Sequence, residues 1–149
     1  MTENEKYMNE ALKQAKIAYS KEEVPIGAVI VKDGKIIARA YNKRELNMKA
    51  TAHSEIIAIE KACKKLNNWR LNGCKLFVTL EPCPMCAGAI LNSRIDEVIF
   101  GAEDKKSGAV ISNIKMLDDE YCNHKAKYQC GVLKGECETI LKDFFRKLR

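Results

Sequence analysis

Short apolar segments of strand character alternate with longer amphipathic segments along this chain, and few architectures accommodate that order. Residues 26–41, "IGAVIVKDGKIIARAY", predict two strands around Asp33 and Gly34, a dipeptide that tolerates the positive φ angles of a type I′ hairpin turn. Residues 75–80, "KLFVTL", and 96–102, "DEVIFGA", predict two further strands. Because helical segments separate the later strands, we expect right-handed crossovers and parallel pairing in that half.

Four segments have the periodicity of amphipathic helices. Residues 4–20 predict the first helix. Thr51 is the predicted N-cap of a second helix that ends near Leu66, and Pro84 suits the first turn of a third helix that ends near Asn92. The last fifteen residues predict a terminal helix with one apolar face: Cys137, Ile140, Leu141, Phe144, Phe145 and Leu148. The fold expected is a three-layer α/β/α domain whose sheet starts as a hairpin and continues parallel.

Composition fits an ordinary globular protein. The chain has 149 residues, of which 46% are hydrophobic and 31% charged, and we expect one domain over residues 1–149. The longest apolar run, residues 26–31, is too short to cross a bilayer, and the charged N-terminus lacks the apolar centre of a signal peptide. We therefore expect no membrane partner and a cytoplasmic location. The net charge of +6 permits a nucleic-acid partner without indicating one.

The chain contains seven cysteines, and an odd number argues against a closed disulfide framework. Cys83 and Cys86 follow a predicted strand and start a predicted helix. Such a pair can be a redox dithiol, half of a structural zinc site, or two ligands of a catalytic metal. The other cysteines show no ligand-like spacing, and we expect all five to pack as small apolar residues: Cys63, Cys74, Cys122, Cys130 and Cys137.

The redox interpretation finds no support elsewhere in the chain. Thioredoxin-like folds place a cis-proline against the dithiol from later in the sequence, whereas Pro25, Pro82 and Pro84 all precede Cys86. A metal site needs further ligands, and His53 offers one because it also starts a predicted helix. Taken alone, however, a histidine is more often a partly exposed polar residue than a ligand.

Glu55 strengthens the metal interpretation. It is either a solvated first-turn residue favoured by the helix dipole or a group that faces a site. Positions two apart on an established helix diverge by about 200°, so His53 and Glu55 can converge only in the loosely held first turn that Thr51 would start. One nitrogen and two sulfur ligands leave a position of a tetrahedral zinc open, as in catalytic sites. The alternative is a structural site completed by Cys74, in which Glu55 would have no role.

The string H-x-E followed by P-C-x-x-C, here His53, Glu55, Cys83 and Cys86, is the signature of zinc-dependent nucleobase and nucleoside deaminases. Within that superfamily the chain resembles the bacterial tRNA-specific adenosine deaminases over nearly its full length. The similar stretches are "VPIGAVIV", "TAHSEI", "NWRLNGCKLFVTLEPCPMCAGAI", "SRIDEVIFGAEDKKSGA", "NHKAKYQCGVLKGEC" and "FFRKLR". The resemblance implies an α/β cytidine deaminase-like fold with a mixed, roughly five-stranded sheet.

The resemblance also implies a reaction, a cofactor and partners. The substrate would be the wobble adenosine of a tRNA anticodon stem-loop, converted to inosine by a homodimer with one Zn²⁺ per chain. His53, Cys83 and Cys86 would bind the zinc, and Glu55 would carry protons. The implied substrate-binding residues are Asn42, Asp104, Lys106, Asn123, His124, Phe145 and Arg149, with Lys105 and Arg146 as further candidates. From the residues alone, Asn42 is also a common turn residue after a strand.

Two other functions share some of these features. A deaminase of a free base or nucleoside, such as guanine or cytosine, would use the same zinc site, and a non-catalytic zinc module would use the ligands alone. Glu55 argues against the module because a structural zinc needs no additional carboxylate. The basic terminal helix and the "NHKA" stretch favour an RNA substrate over a free base.

Overall fold

The computed structural model describes residues 1–118 and 122–148. The helices in this part of the chain are α1 (Glu3–Ser20), α2 (Ser54–Leu66), α3 (Pro84–Asn92) and α4 (Lys134–Lys147), with one 3₁₀ turn at Met116–Asp118. The strands are β1 (Gly27–Lys32), β2 (Lys35–Tyr41), β3 (Cys74–Leu80), β4 (Glu97–Ala102) and β5 (Lys127–Cys130). Among the helices of the described residues, none combines the length and apolar character that a membrane crossing requires.

The strands form one mixed sheet in the order β2-β1-β3-β4-β5. Strand β1 pairs antiparallel with β2 and with β3, whereas β3 and β4, and β4 and β5, pair parallel. Asp33 and Gly34, between β1 and β2, both have positive φ angles, 51° and 74°, as a type I′ turn requires. The prediction of a hairpin that continues as a parallel sheet is confirmed.

Helices cover both faces of the sheet because successive side chains on each strand point to opposite sides. Ala28 and Ile30 of β1 belong to the core under α2 and α3, while Val29 and Val31 of the same strand pack towards α1. Burial of an aliphatic side chain such as Ile30 contributes about 1.5–3 kcal/mol. The predicted three-layer α/β/α architecture is confirmed. Because β3 and β4 are parallel, their carboxyl ends lie side by side at the same end of the sheet.

Two elements differ from the prediction. Helix α2 begins one residue after His53, which is its N-cap, so the prediction that Thr51 caps this helix is wrong. Thr51 instead lies in the turn before it, where its carbonyl accepts the His53 N–H at 2.8 Å. Strand β5 was not predicted because its four residues, "KYQC", are mostly exposed and show no apolar alternation. Only its pairing with β4 defines it as a strand.

The terminal helix buries less than its pattern predicts. Cys137 and Phe144 are buried, but Phe145 is 46% exposed and Leu148 is 68% exposed. Cys130 is exposed as well, so the expectation that it packs as an apolar residue is wrong. A helical periodicity identifies the side chains of one face, but the neighbouring layer decides how many of them are covered.

Candidate active site

The first turns of α2 and α3 meet beside the carboxyl end of β3. His53 is the N-cap of α2 and Cys83 the N-cap of α3, and both have extended backbone conformations (φ/ψ −75°/152° and −77°/173°). Neither side chain forms a capping hydrogen bond with its own helix, so both are available to other groups. Pro84 follows in the first turn of α3, as predicted, where its missing N–H costs nothing.

His53, Cys83 and Cys86 place three ligand atoms close together. Nδ1 of His53 lies 3.6 Å from Sγ of Cys83 and 3.6 Å from Sγ of Cys86, and all three atoms lie within 4.8 Å of one another. A tetrahedral zinc with Zn–N bonds of about 2.0 Å and Zn–S bonds of about 2.3 Å separates its nitrogen and sulfur ligands by roughly 3.6 Å. The three side chains therefore fit zinc in the number, type and spacing of their donor atoms.

Cys74 does not take part in this cluster. It is the first residue of β3, whereas Cys83 follows the last residue of that strand, so the strand itself separates them by about 20 Å. Cys74 is fully buried in the core under α2 and α3. The alternative of a structural site completed by Cys74 is therefore excluded.

Hydrogen bonds concentrate negative charge on one thiol of the cluster. The pKa of Cys83 is lowered to about 4, chiefly because the Cys86 thiol donates to its sulfur and also because the His53 ring does so. The same hydrogen bond, together with burial, raises the pKa of Cys86. The pKa of His53 is raised because its ring N–H stabilises the Cys83 thiolate. Anionic sulfur beside a ring nitrogen is a suitable environment for a cation such as Zn²⁺.

Glu55 is the second residue of α2 and is only 4% exposed. The hydroxyl of Ser54 donates to its Oε1 at 2.8 Å, and burial raises the pKa of the carboxyl group. Glu55 lines the same cavity as His53 and Cys83, yet it is not one of the clustered ligand atoms. A buried carboxyl group with a raised pKa, placed beside a metal site but not in it, is suited to accept and release protons.

A cavity of about 560 Å³ lies in front of the cluster, within the size range of small-molecule sites. Several sequence-predicted residues line it: His53, Glu55, Cys83, Asp104, Lys105, Lys106 and Phe145. A smaller recess of about 100 Å³ is lined by His53 and Glu55 together with Asn42. The fold thus brings candidates from five separate segments to the cavity and this recess.

Asn42 combines a structural role with a position at the recess. Its side-chain nitrogen donates to the carbonyl of Val24 at 3.3 Å, and its side-chain oxygen accepts the Arg44 N–H at 3.2 Å. These hydrogen bonds fix the segment that follows β2, so Asn42 does act as a turn residue after a strand. The residue is 5% exposed and lies in the same recess as Glu55.

Other candidates lie elsewhere. His124 donates from Nε2 to the carbonyl of Ile95 at 2.7 Å, which places it and Asn123 near the amino end of β4, whereas the cavity lies at the carboxyl ends of the strands. Within the described part of the chain, neither residue lines the cavity. Arg146 is exposed and pairs with Asp143 at 3.8 Å. Arg149 lies outside the described residues.

The cavity also includes residues that the sequence interpretation did not select: Val24, Ile26, Arg44, Leu80, Glu81, Glu103, Ser107 and Leu141. The sequence does contain a signal for Glu81, because it is a charged residue that directly follows an apolar strand, two positions before Cys83. Burial would raise the pKa of Glu81, but hydrogen bonds from Ser112, Ile111 and Asp104 outweigh that effect and lower it. Glu81 is therefore a carboxylate held by protein donors.

The three-layer fold, with a His-Cys-Cys cluster and a buried glutamate where two helices begin, defines a deaminase of the cytidine deaminase-like class. The family model for MafB19-like deaminases matches residues 2–149. The tRNA-specific adenosine deaminase of Bacillus subtilis (strain 168) is 53% identical over 149 residues, which cover 100% of this chain and 92% of that protein. The chain belongs to the family of tRNA-specific adenosine deaminases, and the resemblance drawn from the sequence is confirmed.

Two further comparisons agree. The tRNA-specific adenosine deaminase of Aquifex aeolicus (strain VF5) is 48% identical over 145 residues, covering 97% of this chain and 95% of that protein. A solved structure from biochemical and structural studies of A-to-I editing by tRNA:A34 deaminases has a TM-score of 0.89 and 43% identity, covering 91% of this chain and 99% of that one. Deaminases of this class are zinc-dependent in general, which agrees with the donor set described above.

Proposed function

We propose that this chain hydrolytically deaminates the wobble adenosine of a tRNA anticodon to inosine. The observation that carries the proposal is the placement of Glu55 beside the His53, Cys83 and Cys86 cluster, at the base of a cavity large enough for a nucleoside. Membership of the tRNA-specific adenosine deaminase family supports the choice of substrate. The reaction consumes water and releases ammonia, so no second substrate is needed.

His53, Cys83 and Cys86 would hold one Zn²⁺ per chain, leaving a fourth position for solvent. When bound, zinc supplies an activated water molecule as the nucleophile. Glu55 would accept a proton from the attacking water and would deliver it to N1 of the adenine ring as the oxygen adds to C6. It then takes the proton of the new C6 hydroxyl and delivers it to the amino group, which leaves as ammonia. The carboxylate is regenerated at the end of each turnover.

The environment of Glu55 suits both transfers. Burial raises the pKa of the Glu55 carboxyl group. A carboxyl group whose pKa is shifted towards neutral pH both accepts and releases a proton more readily. The Ser54 hydroxyl donates to Oε1 and holds the carboxyl group in one orientation. Because α2 starts at Ser54, the backbone that carries Glu55 is part of a regular helix and is held in place along its length.

The rest of the cavity is lined by apolar side chains and by basic side chains. Leu80, Leu141 and the half-exposed Phe145 provide surface for an extruded base. Arg44 and Lys106 line the same cavity, and neither forms an ion pair with another described residue. We propose that these two cations bind phosphates of the anticodon loop, since backbone contacts provide most of the affinity for nucleic acids.

We also propose that the chain acts as a homodimer of single-domain subunits in the cytoplasm, where it meets tRNA. Asn123 and His124 lie near the amino end of β4, away from the cavity of their own chain, which lies at the carboxyl ends of the strands. A contact between these residues and the anticodon loop would therefore involve the site of a second copy. Arg149, which lies outside the described residues, is proposed to contact the same RNA on the family resemblance alone.

The proposal is tested with purified, zinc-loaded protein and an anticodon stem-loop that bears adenosine at the wobble position. We expect inosine and ammonia in equal amounts, and no product from the same stem-loop with guanosine at that position. Free guanine and cytidine are assayed in parallel. Ammonia from either free compound, with the adenosine stem-loop unchanged, would establish the free-base alternative instead.

A further inference from the structure

Glu81 is a buried carboxylate whose hydrogen-bond donors all come from one segment, the 103–112 loop that follows β4. It is 2% exposed. Oε1 accepts the N–H of Asp104 at 3.0 Å and the hydroxyl of Ser112, while Oε2 accepts the N–H groups of Val110, Ile111 and Ser112 at 3.0, 2.8 and 3.0 Å. Hydrogen bonds to a charged acceptor are roughly twice as strong as those between neutral groups.

The 103–112 loop has no helix or strand of its own, and its N–H groups therefore need other partners. Its first half forms one wall of the cavity through Glu103, Asp104, Lys105, Lys106 and Ser107. Its second half provides most of the donors to Glu81. One side chain thus holds the loop at both ends, with the cavity wall between them.

Close packing at Gly108 shows that the arrangement is tight. A Cβ atom built on Gly108 would overlap the carboxyl group of Glu81 and the carbonyl oxygen of Asp104. In addition, the Ala109 N–H donates to the carbonyl of Pro82 at 2.9 Å, so the loop also contacts the residue between Glu81 and Cys83. The loop and the segment that leads to the metal-binding cysteine are therefore held against each other.

We propose that Glu81 is a positioning residue, which fixes the 103–112 loop as the substrate-facing wall and sets its distance from the segment that carries Cys83. Glu81 does not need to contact the substrate, because both of its oxygens are occupied by the loop. The effect of the loop position on binding of the RNA substrate rests on the function proposed above, whereas the anchoring of the loop by Glu81 does not.

Glu23 provides a matched comparison. It is 1% exposed, and its carboxylate accepts the N–H groups of Glu45 at 3.1 Å and Leu46 at 2.6 Å, in the segment that follows β2. Glu23 and Glu81 are therefore buried carboxylates of the same kind that anchor different segments. A Glu→Gln substitution makes the same chemical change at both positions. The two substitutions are expected to affect different segments of the chain.

Amide hydrogen exchange tests the anchoring directly. In Glu81→Gln the new NH₂ group faces N–H donors, so we expect exchange at Asp104, Val110, Ile111 and Ser112 to accelerate about tenfold or more. In Glu23→Gln the acceleration should fall on residues 43–50 instead. Unchanged exchange in the 103–112 loop of Glu81→Gln, or equal acceleration throughout the sheet, would overturn the proposal.

Kinetics test the consequence for the substrate. We expect Glu81→Gln to keep its zinc and a kcat within about threefold of the parent, while KM for the stem-loop rises about tenfold, as for a loss of uniform binding. Ser112→Ala, which removes one donor and leaves the carboxylate in place, should shift KM in the same direction by less. If Glu81→Gln folds poorly, the result for Ser112→Ala decides.

Two kinetic outcomes would contradict the inference: an unchanged KM in both variants, or a fall in kcat that accompanies loss of zinc. A parent protein that does not act on the stem-loop would instead refute the proposed function. In that case the exchange measurement still decides whether Glu81 anchors the loop, so the two failures are distinguishable.

Discussion

His53 and Glu55 face the same cavity although a single residue separates them, because His53 caps α2 and Glu55 lies inside it. Two positions within a helix diverge by about 200°. His53 has an extended backbone, with ψ of 152°, and its ring lies 3.6 Å from both cysteine sulfurs, while Glu55 lies in the first turn of the helix and lines the same cavity. The H-x-E spacing thus places a candidate metal ligand and the proposed proton carrier within three residues of one another.

The first prediction concerns metal content. We expect about one zinc per chain in the parent protein and almost none in Cys83→Ala, because the two remaining ligands no longer complete a site. Cys130→Ala is the matched control, since Cys130 is exposed and lies on β5. Elemental analysis of the three proteins provides the measurement. Equal zinc in Cys83→Ala and in the control would contradict the assigned ligands.

The second prediction separates proton transfer from ligation. Glu55→Gln should retain its zinc and its melting temperature to within a few degrees but lose turnover by about 10²–10⁴-fold, because an amide does not accept and release protons near neutral pH. Glu60→Gln, at an exposed position of the same helix, should leave turnover unchanged. Loss of zinc from Glu55→Gln would mean that the carboxylate is a ligand.

The third prediction uses two adjacent aromatic residues. Phe144 is 7% exposed and packs edge-on against Tyr19 with ring centroids 5.7 Å apart, so Phe144→Ala should cost about 3 kcal/mol of unfolding free energy. Phe145 is 46% exposed and lines the cavity, so Phe145→Ala should cost less than about 1 kcal/mol while KM for the stem-loop rises. Denaturation and steady-state kinetics on both variants check this. The reverse order of stabilities would place Phe145 in the core.

The fourth prediction concerns the RNA. If phosphate contacts provide the affinity, the logarithm of stem-loop affinity should fall with the logarithm of salt concentration by roughly 0.7 per neutralised phosphate on single-stranded RNA. Lys106→Ala should reduce that slope by about one such contact, whereas Lys64→Ala, exposed near the end of α2, should not. Affinity measured at three salt concentrations provides the test.

Truncation gives an independent check on the RNA prediction. Removing residues 146–149 should weaken stem-loop binding and leave zinc content unchanged, because every ligand and Glu55 precede this segment. A flat salt dependence together with undiminished binding after truncation would favour a free-base substrate, which carries no phosphate.

Local sequence determined most of the framework. The dipeptide of Asp33 and Gly34 fits only a tight turn, the apolar strands pair as their spacing predicts, and Pro84 marks the start of α3. The cysteine pair, His53 and Glu55 were identifiable because their chemistry depends on residue type and short spacing. Each of these patterns involves residues only a few positions apart, so it can be interpreted without knowledge of the tertiary structure.

Tertiary structure decided what depends on distant partners. Strand β5 exists because β4 supplies its hydrogen bonds, and Phe145 is left half-exposed because the neighbouring layer covers only part of α4. His53, not Thr51, is the N-cap of α2, and its ring contacts Cys83, a residue thirty positions later in the chain. In the sequence Glu81 is a single charged residue with no indicated partner. Only in the folded chain do the N–H groups of the 103–112 loop lie within hydrogen-bond distance of it. Contacts of this kind bring together segments that are far apart along the chain, so no local pattern encodes them.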